Sequence, residues 1–262
     1  MIFAVLLASC LAYGAHAHVL RHHDYLSTMR ARANEAAPDF LRGDGTTYGF
    51  YNPGPQVWHN FNFQPSLRCA NDKRMGAWAD GGKYVCDPDR FLIPEACVVL
   101  SIGSNNQWDF ETSFTPYQCR TYTFDHTLDH TVGKPPNVQY FKFGLGFKND
   151  SSVPLLSLPE IIEMINETSI DVLKIDCEGC EFAQLTNMLT RSILKNNVTQ
   201  LLVEFHHKIF GKEISLQESL QSLEAAASAL HEDGFRVFSK EPNTAYSGGK
   251  TCEYSLINKD RM

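Results

Sequence analysis

Two short runs of the sequence carry acids and a histidine that could move a proton or balance a positive charge. Asp176 and Glu178 follow an apolar, strand-like run in KIDCEG, and Glu204 and His206 end a later one in VEFH. His206 could act as a general base because the pKa of histidine lies near neutrality, with Glu204 orienting it or binding substrate. Asp176, Glu178 and Glu181 should repel one another unless they face solvent or a cation. This spacing favours a site for a cationic ligand.

Less specific explanations of the same residues stay open. Glu181 suits the first turn of a helix, where an acid stabilises the helix dipole, and His206 and His207 could be solvated or cap a turn. The acids and His206 could also ligate a divalent ion. The sequence shows no fixed metal-ligand spacing, so no metal is predicted.

A turn and a single aspartate indicate a nucleoside-binding edge. Gly103, Ser104, Asn105 and Asn106 follow the first predicted strand, and Asp125 ends the second, 22 residues after Gly103. An acid about 20 residues past such a turn can accept hydrogen bonds from ribose hydroxyls. Because the further glycines of a pyrophosphate-binding turn are absent, a nicotinamide-dependent oxidoreductase is disfavoured, and S-adenosylmethionine is indicated. The alternative is that Asp125 only caps a turn.

These residues need a parallel sheet whose strands end at one edge. Short β-branched runs alternate with helical patterns from Cys97 onward, which is typical of an α/β sheet. Strands are predicted at residues 98–102, 121–124, 138–143, 170–175, 200–205, 236–238 and 253–257, the last two as an antiparallel hairpin. Helices are predicted at residues 108–114, 158–166, 181–190 and 216–231. Ligands of such sheets bind at the carboxyl ends of the strands.

The N-terminus predicts the secretory pathway. Residues 2–12 are an apolar run too short to span a bilayer, and Ala15-His16-Ala17 matches a cleavage pattern. We therefore expect a signal peptide over residues 1–17, an irregular extension over 18–92 that wraps the core, and the catalytic domain over 93–262. A signal-anchored form is the alternative. Asn149, Asn166 and Asn197 lie in glycosylation sequons.

Charge and cysteine content narrow the classes of function. The 262 residues carry a net charge of −7 with no basic block, which disfavours nucleic-acid binding and suits a small-molecule or glycan substrate. Removal of Cys10 with the leader would leave seven cysteines, so at least one thiol stays unpaired within the chain. Cys177 and Cys180 have the spacing of a redox motif. In thioredoxin-like units that motif follows the first strand, whereas here it follows a strand in the middle of the chain, which disfavours a redox role.

Taken together, the motifs resemble those of a known family. The runs VVLSIGSNN, YTFD and LKIDCEG resemble the FkbM-type methyltransferases, and RMGAWADGGKYVC upstream is closer to the animal methyltransferase-like 24 group. This resemblance covers roughly residues 69–258. It implies a Rossmann-like, seven-stranded sheet that binds S-adenosylmethionine.

The resemblance also implies roles for individual residues. Residues 103–106 would line the methionine part of the cofactor, Asp125 would hold the ribose, and Gly144 and Leu145 would lie near the adenine. Asp176 and Glu178 would lie near the methyl donor, and residues 80–83 would lie in front of the first strand and close the site. In the implied topology the strands that follow Cys97 and Cys119 are neighbours, so these cysteines are expected to form a disulfide. A Cys69–Cys86 disulfide around residues 76–84 is the second expected pairing.

The sequence thus predicts a methyltransferase of the secretory pathway that methylates a hydroxyl of a small molecule, a glycan or a lipid-derived acceptor. Catalysis would come mostly from positioning, with His206 or an acid taking the proton. The alternative is a non-catalytic secreted glycoprotein that keeps the fold as a binding module. Binding of the cofactor distinguishes the two, since the methyltransferase should bind S-adenosylmethionine and the binding module should not.

Overall fold

The computed structural model describes residue 59 and residues 63–78, 80–147, 153–206, 208–209, 212–213, 215–243 and 250–262. The predicted signal peptide over residues 1–17 and the sequon at Asn149 lie outside these residues. Within them, no helix combines the length and the apolar character needed to cross a bilayer.

The strands and helices follow in chain order. The strands are β1 Lys73–Met75, β2 Lys83–Val85, β3 Val98–Ile102, β4 Arg120–Phe124, β5 Val138–Phe141, β6 Gly144–Leu145, β7 Leu155–Leu156, β8 Ile170–Ile175, β9 Val198–Phe205, β10 Lys208–Ile209, β11 Lys212–Glu213, β12 Phe235–Asn243 and β13 Thr251–Asn258. The α-helices are α1 Pro88–Phe91, α2 Asp109–Thr112, α3 Leu158–Ile165, α4 Cys180–Thr186, α5 Met188–Asn197 and α6 Leu216–Glu232. Short 3₁₀ turns lie at Thr115–Tyr117 and Lys259–Arg261.

Seven of these strands form one sheet in the order β12-β13-β9-β8-β3-β4-β5. Strands β9, β8, β3, β4 and β5 are parallel, and β13 runs antiparallel to both β9 and β12. The predicted α/β, Rossmann-like sheet with its C-terminal antiparallel hairpin is therefore confirmed. The strand order reverses between β3 and β8, which opens a crevice at their carboxyl ends.

Burial on both faces explains why the central strands read as continuous apolar runs. Leu100 and Ile102 on β3 pack into the core shared with helices α3 to α6. Val99, which precedes Leu100, points to the opposite face, where it packs with Phe110 and Val85. The sheet is therefore covered on its second face by α2 and the β1–β2 hairpin.

The prediction of one continuous helix over residues 181–190 is wrong, because the structure has two helices there. Asn187 has extended backbone angles, and its side-chain oxygen accepts the amides of Leu189 and Thr190 at 3.0 and 3.2 Å. This is N-cap geometry, so α4 ends and α5 begins at that residue. The helix predicted over 108–114 shrinks to the single turn α2, and β12 runs past its predicted end to Asn243.

The segment before the first core strand contains the β1–β2 hairpin, which the sequence did not predict. Its register pairs Met75 with Lys83, and β2 packs against β9 and β13. A Cys69–Cys86 disulfide brackets the hairpin, and Cys97–Cys119 joins the starts of β3 and β4. Both disulfides were predicted, and both are confirmed.

Candidate functional site

The carboxyl edge of the sheet holds a cavity of about 870 Å³ where the strand order reverses. All of the predicted site residues line it except Asn106, namely Gly103, Ser104, Asn105, Asp125, Gly144, Leu145, Asp176, Glu178, Glu204 and His206. Asn106 instead bridges to the segment after β4, since its side chain contacts the backbone of His130 and Val132. Asp80 and Gly81 also line the cavity, as expected for the residues 80–83 segment.

Gly103 brings the ends of β3 and β8 together. Its φ is +81°, and a Cβ atom there would overlap the carbonyl oxygen of Asp176. Asn105 has a φ of 47°, in the left-handed region that asparagine tolerates. The turn therefore presents backbone, with no side chain between it and the neighbouring strand end.

Asp125 ties this turn to the end of β4. One carboxylate oxygen accepts the amides of Ser104 and Asn105 at 2.9 and 2.8 Å, and the other accepts the amide and hydroxyl of Thr127 at 2.9 and 2.6 Å. Burial pushes the pKa of Asp125 upward, but these hydrogen bonds outweigh it and hold the pKa below its usual range. Asp125 therefore caps the turn, and in this structure the chain itself fills the carboxylate's acceptor positions.

An apolar wall lies beside Asp125. Ile102, Phe124 and Leu145 are almost fully buried and line the cavity, together with Gly144. Phe124 stacks on Phe141 with ring centroids 4.7 Å apart, which holds its ring in place. This end of the cavity can accept a flat apolar group.

The opposite end is built from charges. Asp176 meets the ammonium groups of Lys83 and Lys174 at 3.3 and 3.5 Å, and Lys174 also donates to the Gly103 carbonyl. Burial disfavours the Asp176 carboxylate, but Lys83, Lys174 and His206 outweigh it and bring its pKa well below the usual range. Asp176 is therefore a fixed negative charge at the switch in strand order.

For Glu204, the effects that raise the pKa outweigh those that lower it. Burial, then the neighbouring carboxylates Asp176 and Glu253, raise the pKa of Glu204 to about 8, against the lowering effect of Lys83. The Asn243 amide donates to Glu204 at 3.1 Å and to Asp80 at 3.1 Å. Glu204 can therefore exchange a proton close to neutral pH.

His206 is held by a buried acid on α4. Its backbone amide and its Nδ1 lie 2.8 and 3.1 Å from one oxygen of Glu181, and the other oxygen accepts the Gly179 amide at 2.9 Å. Burial lowers the pKa of His206, but Glu181 and then Asp176 outweigh it and raise the pKa to about 10. These contacts favour the charged imidazole, and a charged imidazole has no lone pair free to accept a substrate proton.

Side chains of metal-binding types also meet here. Ligand-type atoms of Asp176, Glu204 and His206 lie within 4.8 Å of one another. The Lys83 ammonium already contacts Asp176 and Glu204, so the protein itself supplies the positive charge that these acids need. We therefore assign no metal to this group.

A third disulfide, which the sequence did not predict, lies within the acidic motif. Cys177 and Cys180 are bonded across the turn that leads into α4, and Cys177 lines the cavity. Glu178, between them, has a left-handed φ of 56°. Among the described cysteines, Cys252 is the free one, and it is buried.

The sequence did not predict a role for two charged residues at this end of the cavity. Lys83 is only part of the segment expected to close the site, and Glu253 is only part of a predicted strand. Their one visible signal is that each is a charged residue in an otherwise strand-like apolar run, KYV and CEYSLI. Their partners lie far away in sequence, so their contacts could not be found from spacing.

The sequence of the chain is similar to those of known proteins. A family model described as a methyltransferase domain matches residues 20–258. A human protein described as probable methyltransferase-like protein 24 is 23% identical over 222 residues, which are 78% of this chain. The chain spans 57% of the length of that relative.

Solved structures with similar backbones include two archaeal fibrillarins. The Methanococcus jannaschii pre-rRNA processing protein is 12% identical and aligns over 74% of this chain and 85% of its own, with a TM-score of 0.43. The Aeropyrum pernix protein, solved with natively bound S-adenosyl-L-methionine, is 10% identical over the same shares, with a TM-score of 0.38. At these TM-scores neither carries an argument about this chain.

Proposed function

Because the chain belongs to the methyltransferase-domain family, we propose that it is a secretory-pathway enzyme that methylates a hydroxyl of a small molecule, a glycan or a lipid-derived acceptor, with S-adenosylmethionine as its cofactor. The family match confirms the resemblance to methyltransferases, and the human protein described as probable methyltransferase-like protein 24 supports the likeness to that group. One observation carries the proposal: the predicted site residues other than Asn106 line a single cavity where the strand order reverses.

The two ends of the cavity fit the two parts of the cofactor. When bound, S-adenosylmethionine supplies a methyl group on a positively charged sulfur. The apolar wall of Ile102, Phe124 and Leu145 suits its flat base, and Asp176 with the exposed Glu178 balances the sulfonium charge. Asp125 can accept one ribose hydroxyl once the Thr127 hydroxyl rotates away, because that rotation frees one acceptor position.

Glu204 is the group that takes the acceptor's proton in this proposal. It lines the cavity beside Asp176, and its raised pKa of about 8 makes its ionised form a stronger base than an ordinary carboxylate. His206 keeps its own proton and holds a positive charge between Glu181 and Asp176. In this scheme the chain's own contribution is to remove one proton from the acceptor oxygen, with no metal.

Three disulfides within the described residues support the secretory assignment. Cys69–Cys86, Cys97–Cys119 and Cys177–Cys180 would be unusual in a reducing cytosol. The predicted signal peptide points to the same compartment. Fractionation of cells that express the untagged full chain tests this part, with detection in the lumen or the medium as the expected result.

A methyl-transfer assay tests the activity. The full chain, expressed through the secretory pathway, is incubated with methyl-labelled S-adenosylmethionine and with separate pools of polyols, glycans and hydroxylated lipids. We expect label on an oxygen of one pool, strongly reduced in Glu204→Gln but not in the exposed control Glu163→Gln. Label on nitrogen would contradict the hydroxyl acceptor, and no label in any pool would contradict the enzymatic role.

The saturated carboxylate of Asp125 favours a second candidate, a non-catalytic binding module with the same fold. If the four hydrogen bonds from Ser104, Asn105 and Thr127 are permanent, Asp125 is structural and no ribose is held there. Calorimetric titration with S-adenosylmethionine separates the two. Saturable binding supports the enzyme, and its absence supports the binding module.

A further inference from the structure

The charged end of the cavity is completed by a strand that lies outside the main sheet. Lys83 on β2 is fully buried, and its ammonium contacts the carboxylates of Asp176, Glu204 and Glu253. A buried ammonium is costly unless it is paired with opposite charges. These three contacts are therefore the reason that β2 can place a lysine against β9 and β13.

Glu204 and Glu253 face each other across the antiparallel pair. The register of β9 and β13 places them directly opposite, and Glu253 is almost fully buried. Like charges in that relation destabilise a sheet. Lys83 contacts both carboxylates, so the charge of Glu204 depends on one cation from β2 and one anion from β13.

We propose that Lys83 and Glu253 are positioning residues that set the charge state of Glu204, which makes the β1–β2 hairpin part of the catalytic unit. This inference rests on the proposed function, in which Glu204 takes the acceptor's proton. Neither Lys83 nor Glu253 lines the cavity. They act on the acceptor only through Glu204.

The remaining groups that face Glu204 come from four other places. Asp176 at the end of β8 raises the pKa of Glu204, and His206 after β9 lowers it. Asn243 on β12 donates to Glu204 and also holds Asp80 of the hairpin loop. A substitution of Lys83 or Glu253 changes one charge and leaves these groups in place.

The two substitutions should move the pKa of Glu204 in opposite directions. Lys83→Met removes a cation that stabilises the carboxylate, so the pKa rises. Glu253→Gln removes an anion that destabilises it, so the pKa falls. An opposite charge within about 4–6 Å shifts a carboxyl pKa by about 1–3 units, so each change should be resolvable. A merely structural role would not produce opposite signs.

The test is an NMR titration of the full chain labelled with ¹³C at the glutamate side-chain carboxyls. The Glu204 resonance is assigned by its loss in Glu204→Gln. Lys142→Met serves as the matched control, because Lys142 is a surface lysine paired with the exposed Asp129. We expect a wild-type midpoint near pH 8, a higher midpoint in Lys83→Met, a lower one in Glu253→Gln and no change in the control.

Midpoints that stay at the wild-type value, or that move in the same direction in both variants, would overturn the inference. Lys83→Arg keeps the cation and should keep the midpoint. If Lys83→Met does not fold, Glu253→Gln decides alone: a lower midpoint supports the inference and an unchanged one overturns it. Calorimetry with S-adenosylmethionine on the same wild-type sample separates the two claims, since absent binding would refute the proposed function without moving any midpoint.

Discussion

The two ends of the cavity are built in different ways. The end near Gly103 and Asp125 depends on backbone conformation: a turn with left-handed residues, whose amides donate to the Asp125 carboxylate. The end near Asp176 and Glu204 is made from opposed charges that come from β2, β8, β9 and β13. The first end depends on shape and the second on electrostatic balance, so they should respond to different substitutions.

The largest effect is expected where the two ends touch. Gly103→Ala would place a methyl group on the Asp176 carbonyl and force a non-glycine residue to a φ of +81°. Left-handed strain alone costs about 1–2 kcal/mol, and the overlap adds about 1–3 kcal/mol. We expect calorimetry to detect no S-adenosylmethionine binding and urea unfolding to show a destabilised chain.

Gly133→Ala is the matched control for that substitution. Gly133 has a similar φ of +71°, but a Cβ there meets only the Trp108 side chain at 4.0 Å. It should bind the cofactor normally and lose about 1–2 kcal/mol from strain. Equal cofactor affinity in the two variants would show that the turn at Gly103 is not a cofactor contact.

The next effect isolates the charged end. Glu204→Gln keeps the shape of the side chain but removes its ability to take a proton, so methyl transfer should fall by about 10²–10⁴-fold while cofactor affinity stays within twofold or so. Initial rates and calorimetry on one preparation measure both. A loss of affinity that matches the loss of rate would mean that Glu204 binds the cofactor instead.

Asp125→Asn should damage the backbone-built end. An amide cannot accept at both positions, so at least two of its hydrogen bonds are lost, at a cost of about 1–3 kcal/mol in the free energy of unfolding. Cofactor affinity should fall about tenfold or more. The exposed Asp129→Asn, which should leave both quantities unchanged, is the control, and unchanged affinity in Asp125→Asn would place the ribose elsewhere.

The last prediction is a pH dependence of stability. The pKa of His206 is raised from 6.5 to about 10, so its stabilising contribution is complete below pH 6.5 and is lost as the pH rises through about 10. Relative to His206→Gln, the wild-type free energy of unfolding should fall steadily as the pH rises across that window. Parallel curves for the two proteins in urea unfolding would contradict a charged His206.

Much of the fold was predictable because its central strands are buried on both faces. The boundaries predicted for β3 and β8 match the structure, since continuous β-branched runs mark such strands clearly. The break at Asn187 was missed, because a capping asparagine inside an apolar pattern leaves the periodicity intact. The β1–β2 hairpin was missed because its three-residue strands are too short to show alternation.

The site was predictable in position but not in charge. Strand ends locate residues, so Gly103, Asp125 and Asp176 were found from the sequence together with Glu204. Whether a side chain is protonated depends on neighbours that fold in from elsewhere, so Lys83, Glu253 and the role of Glu181 were invisible. This is why the sequence left His206 or an acid as the base, whereas the contacts in the structure favour Glu204.

A crystal structure of the full chain with S-adenosylhomocysteine would test the central claim most directly. The account predicts the base against Phe124 and Leu145, one ribose hydroxyl on Asp125 with the Thr127 hydroxyl turned away, and the sulfur beside Asp176. A ligand bound elsewhere, or a cavity that stays empty at saturating ligand with Asp125 still holding all four of its hydrogen bonds, would contradict it.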